Sequence, residues 1–254
     1  YWLAYNLLTF EITEPETRDS FNGLQGISGA LGGMIGPFFA GYVISSMIGN
    51  TGYLIIFGSS LSLFVIAVIC SLFLKRRAAE GKYRLKQVMS ERKRNPDWKR
   101  ITYANYSQGL REGVFVFIIS VFVFIETGSE MALGTFTLIS SGISFLAYFL
   151  VGRYVKVKYR KGSMFAGAML LYGAIAFLVY KVSYVKLLIF ASVIALAYPL
   201  LFVPYMSLTY DVIGRAREAA IYRIEYIVIR ELYLNAGRAT SILVFMGIIM
   251  MLPE

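Results

Sequence analysis

The chain has 254 residues, of which 57% are hydrophobic and 16% charged, against about 25% charged in a soluble domain. Several apolar runs of roughly 18 or more residues exclude a soluble globule, and the absence of alternating segments of roughly ten residues excludes a membrane barrel; an all-α polytopic membrane protein remains. The net charge of +10 does not indicate a nucleic-acid partner, because the basic residues cluster between apolar runs, where membrane topology accounts for them.

Taken in chain order, residues 1–10 (YWLAYNLLTF) read as the tail of an apolar segment. The first full span is expected at about 24–48 and the second at about 52–74, with a short turn at 49–51. A basic linker follows over 75–111, holding KRR, KYRLK, ERKRN and DWKR around Pro96. Five more spans are expected at about 113–131, 133–152, 163–180, 187–208 and 224–252, the first two joined by a tight turn near Gly128 or Ala132. Loop 75–111 carries twelve Lys and Arg, loop 153–161 five and loop 211–223 three, whereas 49–51 carries none and 181–186 two. This bias places the basic loops in the cytoplasm. Two spans, a long linker and five spans suggest a fragment of a six-plus-six bundle, with four spans before residue 10 and one after residue 254. On that division, 1–74 closes an N-terminal half and 112–254 belongs to a C-terminal half.

The segment GALGGMIGPFFAG, residues 29–41, combines glycine and proline in an uncharged run. Lipid enforces helix there whatever the propensity, since every backbone group must be satisfied internally. Gly29, Gly32 and Gly36 form one stripe suited to close helix approach, and Pro37 bends the helix. Gly32-x-x-x-Gly36-Pro37-x-x-Ala40-Gly41 resembles the fifth-helix signature of the major facilitator superfamily, G-x-x-x-G-P-x-x-G-G, with Ala40 as the departure. A second pattern of that family, G-x-L-A-D-R-x-G-R-K, is partly retained after the fourth span as Gly152, Arg160 and Lys161, with Lys156 where the acid stands and Tyr159 where the glycine stands. The resemblance implies a helical transporter bundle in which this chain supplies helices five to eleven. It also implies a role in antiport export for the glycine-proline helix.

Charges within apolar runs cost about 2.5–3.5 kcal/mol on insertion scales and mark functional candidates. Glu126 and Glu130 are four apart, and on one helical face such a pair would suit proton carriage. The last span embeds Arg230, Glu231, Asn235 and Arg238; Glu231, Asn235 and Arg238 fall on one polar stripe, with Arg238 the deepest. Arg18 with Asp19, and Arg111 with Glu112, read as charges at the ends of helices. Tyr172, Tyr198 and Tyr205 are candidates to line a cavity.

The single cysteine, Cys70, and the lack of histidine argue against an internal disulfide and a Cys/His metal site. No phosphate-binding loop of the G-x-x-x-x-G-K-[ST] type occurs. No cofactor and no catalytic residue are expected. The function expected is secondary active transport of a small solute by alternating access, as proton-coupled export with a proton or other coupling ion as partner, in contact with membrane lipid. The expected location is the cell membrane, taken as a bacterial inner membrane. The alternatives are a polytopic enzyme or sensor, a solute symporter, or a lipid flippase.

Overall fold

A computed structural model of the chain describes residues 2–73, 83–178 and 183–251. Its helices are α1 (Trp2–Ile12), α2 (Arg18–Ser46), α3 (Thr51–Ser71), α4 (Leu85–Glu91), α5 (Pro96–Thr127), α6 (Glu130–Tyr154), α7 (Arg160–Leu178), α8 (Tyr184–Gly214) and α9 (Ala219–Met251), with one 3-10 turn at Val157–Tyr159. No strand occurs among the described residues, and the fold is the all-α membrane bundle expected. Helices α2, α3, α5, α6, α8 and α9 are each long and apolar enough to cross a membrane. The parts of the expected linker and spans at 74–82, 179–180 and 252 lie outside the described residues.

Local chemistry sets the helix ends. The Asn95 side chain accepts from the backbone N–H groups of Asp97 and Trp98, and Pro96 occupies the first turn of α5, where its missing N–H costs nothing. Gly128 closes α5 in the left-handed conformation at φ 60°, which glycine adopts without a Cβ penalty. The Ser129 hydroxyl then accepts from Ala132 N–H to start α6. The tight turn therefore sits at Gly128.

The helix that carries the expected third span starts well before it. The helix begins at Pro96, not near residue 113, and its first half is amphipathic. Trp98, Ile101, Thr102, Asn105 and Gln108 are buried at helical spacing, while Lys99 and Arg100 on the other side are exposed. Hydropathy registers only the apolar half. The buried face joins α4 and the adjoining ends of α8 and α9 in the main core, where Trp98 packs edge-on to Tyr226 at 4.9 Å.

Two prolines interrupt α8, and neighbouring helices take up the carbonyls they leave free. Pro204 cannot donate to Leu200 O; the Ser163 hydroxyl of α7 donates to that oxygen at 2.7 Å. Pro199 cannot donate to Ala195 O; Ser144 of α6 reaches it at 3.5 Å. Such substitution is what lets proline persist in a membrane helix.

Helix α2 runs antiparallel to α6 along most of its length, and glycines mediate the contact. A Cβ on Gly23 would lie 2.7 Å from Gly152 Cα, one on Gly26 2.1 Å from the Tyr148 ring, and one on Gly41 2.6 Å from Glu130 O. Gly29, Gly32 and Gly36 have nothing within 4 Å. Within the expected set, Gly41 and Pro37 (whose carbonyl abuts Gly134) therefore lie at the α6 contact. The row Gly29, Gly32 and Gly36 occupies another side of the helix, because spacings of three and four generate more than one stripe on a helix so rich in glycine.

Candidate functional site

A cluster of polar groups gathers midway along the bundle. Gly109 and Gly113 of α5 abut the α9 backbone: a Cβ on Gly109 would lie 2.0 Å from Leu234 O, and one on Gly113 2.6 Å from Arg238 O. Gly237 answers from α9, where a Cβ would stand 2.1 Å from Tyr106 O. This close approach brings Glu112 and Arg238 together, with Arg238 Nη2 2.6 Å and Nε 3.1 Å from Glu112 Oε2. The other carboxylate oxygen accepts from Gln108 Nε2 at 2.7 Å and Tyr198 OH at 3.4 Å. Asn235 Oδ1 accepts from Arg238 Nη1 at 3.2 Å. Arg111 lies over the Tyr198 ring, 4.4 Å from its centroid.

The cluster forms one wall of a cavity of about 320 Å³ between α5, α6 and α8. Arg111 and Glu112 are its charged lining residues; Phe115, Ile119, Phe136 and Phe190 supply apolar surface, and Ser140 and Ser144 line it from α6. A second cavity of about 280 Å³ adjoins at Ser144 and is lined from α2 by Asn22, Gln25, Gly26 and Gly29. The first volume lies at the small end of the usual range for ligand pockets.

A second ionic cluster closes the basic end of the bundle. Arg160 at the start of α7 pairs with Asp19 of α2 at 2.8 Å and with Asp211 of α8 at 2.6 Å, and donates to Pro15 O at 2.8 Å. Arg18 pairs with the other oxygen of Asp211 and donates to Thr13. Asn22 and Ser207 extend the contact at 2.9 Å. All four charged residues are buried, and two cations meet two anions. Of the loop-motif remnants, Arg160 is the hub, Gly152 packs on Gly23 and Lys161 is exposed. The acids that pair with Arg160 are Asp19 and Asp211, which are distant from it in sequence.

The sequence candidates separate in space. Glu126 ends α5 and is exposed, while Glu130 begins α6 and accepts from Tyr53 OH at 2.9 Å. The pair does not share a helical face, because Gly128 breaks the helix between them. Arg230 is buried, 2.8 Å from Glu231, with Met206 Sδ 3.1 Å away. Glu231 also accepts from Asn6 of α1 at 3.3 Å. The α9 stripe thus divides: Glu231 faces α1 and Arg238 faces α5. Tyr198 lines the cavity, Tyr205 is core and Tyr172 is exposed.

The residues missed are Arg111 and Glu112, read as charges at a helix end. The signal was present in Asn95-Pro96-Asp97, a helix start that places Glu112 roughly 24 Å along α5.

The sequence profile described as Major Facilitator Superfamily matches residues 1–224. A Bacillus subtilis (strain 168) protein, "Uncharacterized protein YqgE", is 58% identical over all 254 residues, which cover 59% of that relative's length. A Geobacillus stearothermophilus protein, "Uncharacterized protein in sodM 3'region", is 51% identical over 81 residues, 32% of this chain and 38% of the relative. No solved structure matches.

Proposed function

The chain belongs to the major facilitator superfamily, and from that premise we propose that it works as a secondary active transporter, exporting a small solute in exchange for protons by alternating access. Family members are multi-pass membrane transporters, so lipid contact and a small-molecule substrate follow. The finer reading is supported by one observation above the others: a carboxylate and two guanidinium groups midway along membrane-length helices, beside a cavity. In lipid such groups are expensive and mark solute or ion pathways.

In this reading α1 to α3 belong to one half of the transporter and α5 to α9 to the other. Residues 75–95 connect them on the cytoplasmic side of a bacterial cell membrane. The Arg18, Asp19, Arg160 and Asp211 cluster joins α2 to α7 and α8, and so links the halves at that side. The α2–α6 glycine contact is the seam about which they rock. Glu112 takes the coupling role: it exchanges its ion pair with Arg238 for a proton, and the released guanidinium changes the cavity. Glu126 is less suited, being exposed at a helix end. Glu130, Arg230, Glu231 and Asn235 hold helices in position.

The test is proton movement in proteoliposomes containing the full-length protein, followed with a pH-sensitive dye while a panel of anionic, neutral and cationic solutes is added under an imposed pH gradient. One class should release protons in the wild type, and Glu112→Gln should abolish the response while Glu126→Gln keeps it. A normal response in Glu112→Gln removes that residue from coupling; no response to any class removes the proton-exchange reading.

A further inference from the structure

The two guanidinium groups of the central cluster are not equivalent. Arg238 is neutralised by Glu112, whose two oxygens are occupied by Arg238 on one side and by Gln108 and Tyr198 on the other. Arg111, the residue before Glu112, has no ion pair and no hydrogen bond among the described residues; its Nε is buried without a partner, and its guanidinium lies over the face of the Tyr198 ring. Arg111, Glu112 and Arg238 therefore sum to one positive charge, and among the described residues Arg111 and Glu112 are the charged residues that line the two adjoining cavities. A cation–π contact leaves the in-plane N–H donors of a guanidinium available. Those donors form a fork that fits a carboxylate or phosphate oxygen pair.

We propose that the cavity is a binding site for a small amphipathic monoanion, with Arg111 taking its acidic group and Phe115, Ile119, Phe136 and Phe190 enclosing its apolar body. The chemistry favours one negative charge over two, because the cluster has one uncompensated cation. Ser140 and Ser144 also line the cavity; their hydroxyls donate to Thr137 O and Ala195 O, which leaves each oxygen able to accept. The assignment names the substrate class of the transporter proposed above, and it rests on that reading for the fate of the anion once bound.

Three probes of nearly equal size and different charge test it: 2-naphthoate, 2-naphthylmethanol and 2-naphthylmethylammonium. Equilibrium dialysis against the detergent-solubilised full-length protein needs no gradient and no vesicle, so it reads the site apart from transport. The expected order is naphthoate above the alcohol above the ammonium. Arg111→Gln should weaken naphthoate by at least about tenfold, as expected for a lost charge-assisted hydrogen bond, and Arg111→Lys should recover part of the loss. Glu112→Gln, which removes the one carboxylate beside Arg111 and releases Arg238, should tighten naphthoate. Equal affinity of the wild type for the three probes, no binding of naphthoate, or unchanged naphthoate affinity in Arg111→Gln overturns the proposal. Naphthoate that binds but does not cross a proteoliposome membrane overturns the transporter reading and leaves the anion site standing; a neutral or cationic solute carried while naphthoate fails to bind does the reverse.

Discussion

Two ionic clusters, one at the basic end and one in the middle of the bundle, are built from the same residue types and differ in completeness. At the end, Arg18, Asp19, Arg160 and Asp211 are buried and balanced in charge, and every carboxylate has a guanidinium. In the middle, Glu112 is saturated but Arg111 is left over, beside open volume. A closed network of this kind holds elements together, whereas an open one has capacity for something that arrives. The distinction lies in geometry and not in burial alone, because both clusters sit on helices whose chemistry would otherwise be lipid-compatible.

The contrast can be broken most severely at the end cluster. Arg160→Met leaves Asp19 and Asp211 facing each other without their shared partner, and the expected cost is about 3–5 kcal/mol, as for other buried pairs stripped of one member. Thermal unfolding in detergent should show it as the largest fall in midpoint of the variants considered. Next comes Gly109→Ala, whose Cβ would stand 2.0 Å from Leu234 O; separating α5 from α9 should cost about 1–3 kcal/mol and loosen the Glu112–Arg238 pair, read as lost stability and altered solute binding together. Glu112→Gln should cost only about 1–2 kcal/mol, since Arg238 is partly exposed, yet should abolish the proton response in vesicles. Arg111→Gln should be the mildest, about 0.5–1 kcal/mol for a lost cation–π contact, with its effect concentrated in anion affinity. If Arg111→Gln unfolds the protein as readily as Arg160→Met, the middle cluster is structural and the contrast fails.

The bundle was legible in the sequence because lipid-compatible length and apolarity are local properties of a segment. The apolar runs became helices, and Gly128 made the predicted tight turn. What the sequence left unread depended on partners. The amphipathic first half of α5 hides from a hydropathy scan, so Arg111 and Glu112 were placed at a helix end when they lie near its middle. The glycines of α2 offer several stripes, and only α6 selects Gly23, Gly26 and Gly41 over Gly29, Gly32 and Gly36. Arg238 was identified as a candidate from its depth, but its acid, Glu112, lies 126 positions away and no local spacing joins them. Arg160 was noted as a motif remnant, while its acids come from α2 and α8.

The connector Gly128–Ser129 leaves no slack between α5 and α6. These helices form two walls of the larger cavity, so they behave as scissor blades pinned at that end. Ser120 lies about 12 Å from the pin along α5, and Arg111 about 26 Å, at a rise of 1.5 Å per residue. A small change in the angle between the blades therefore widens the gap at Arg111 roughly twice as much as at Ser120. Among the residues of α5 that line the cavity, Arg111 stands farthest from the hinge and would be displaced most.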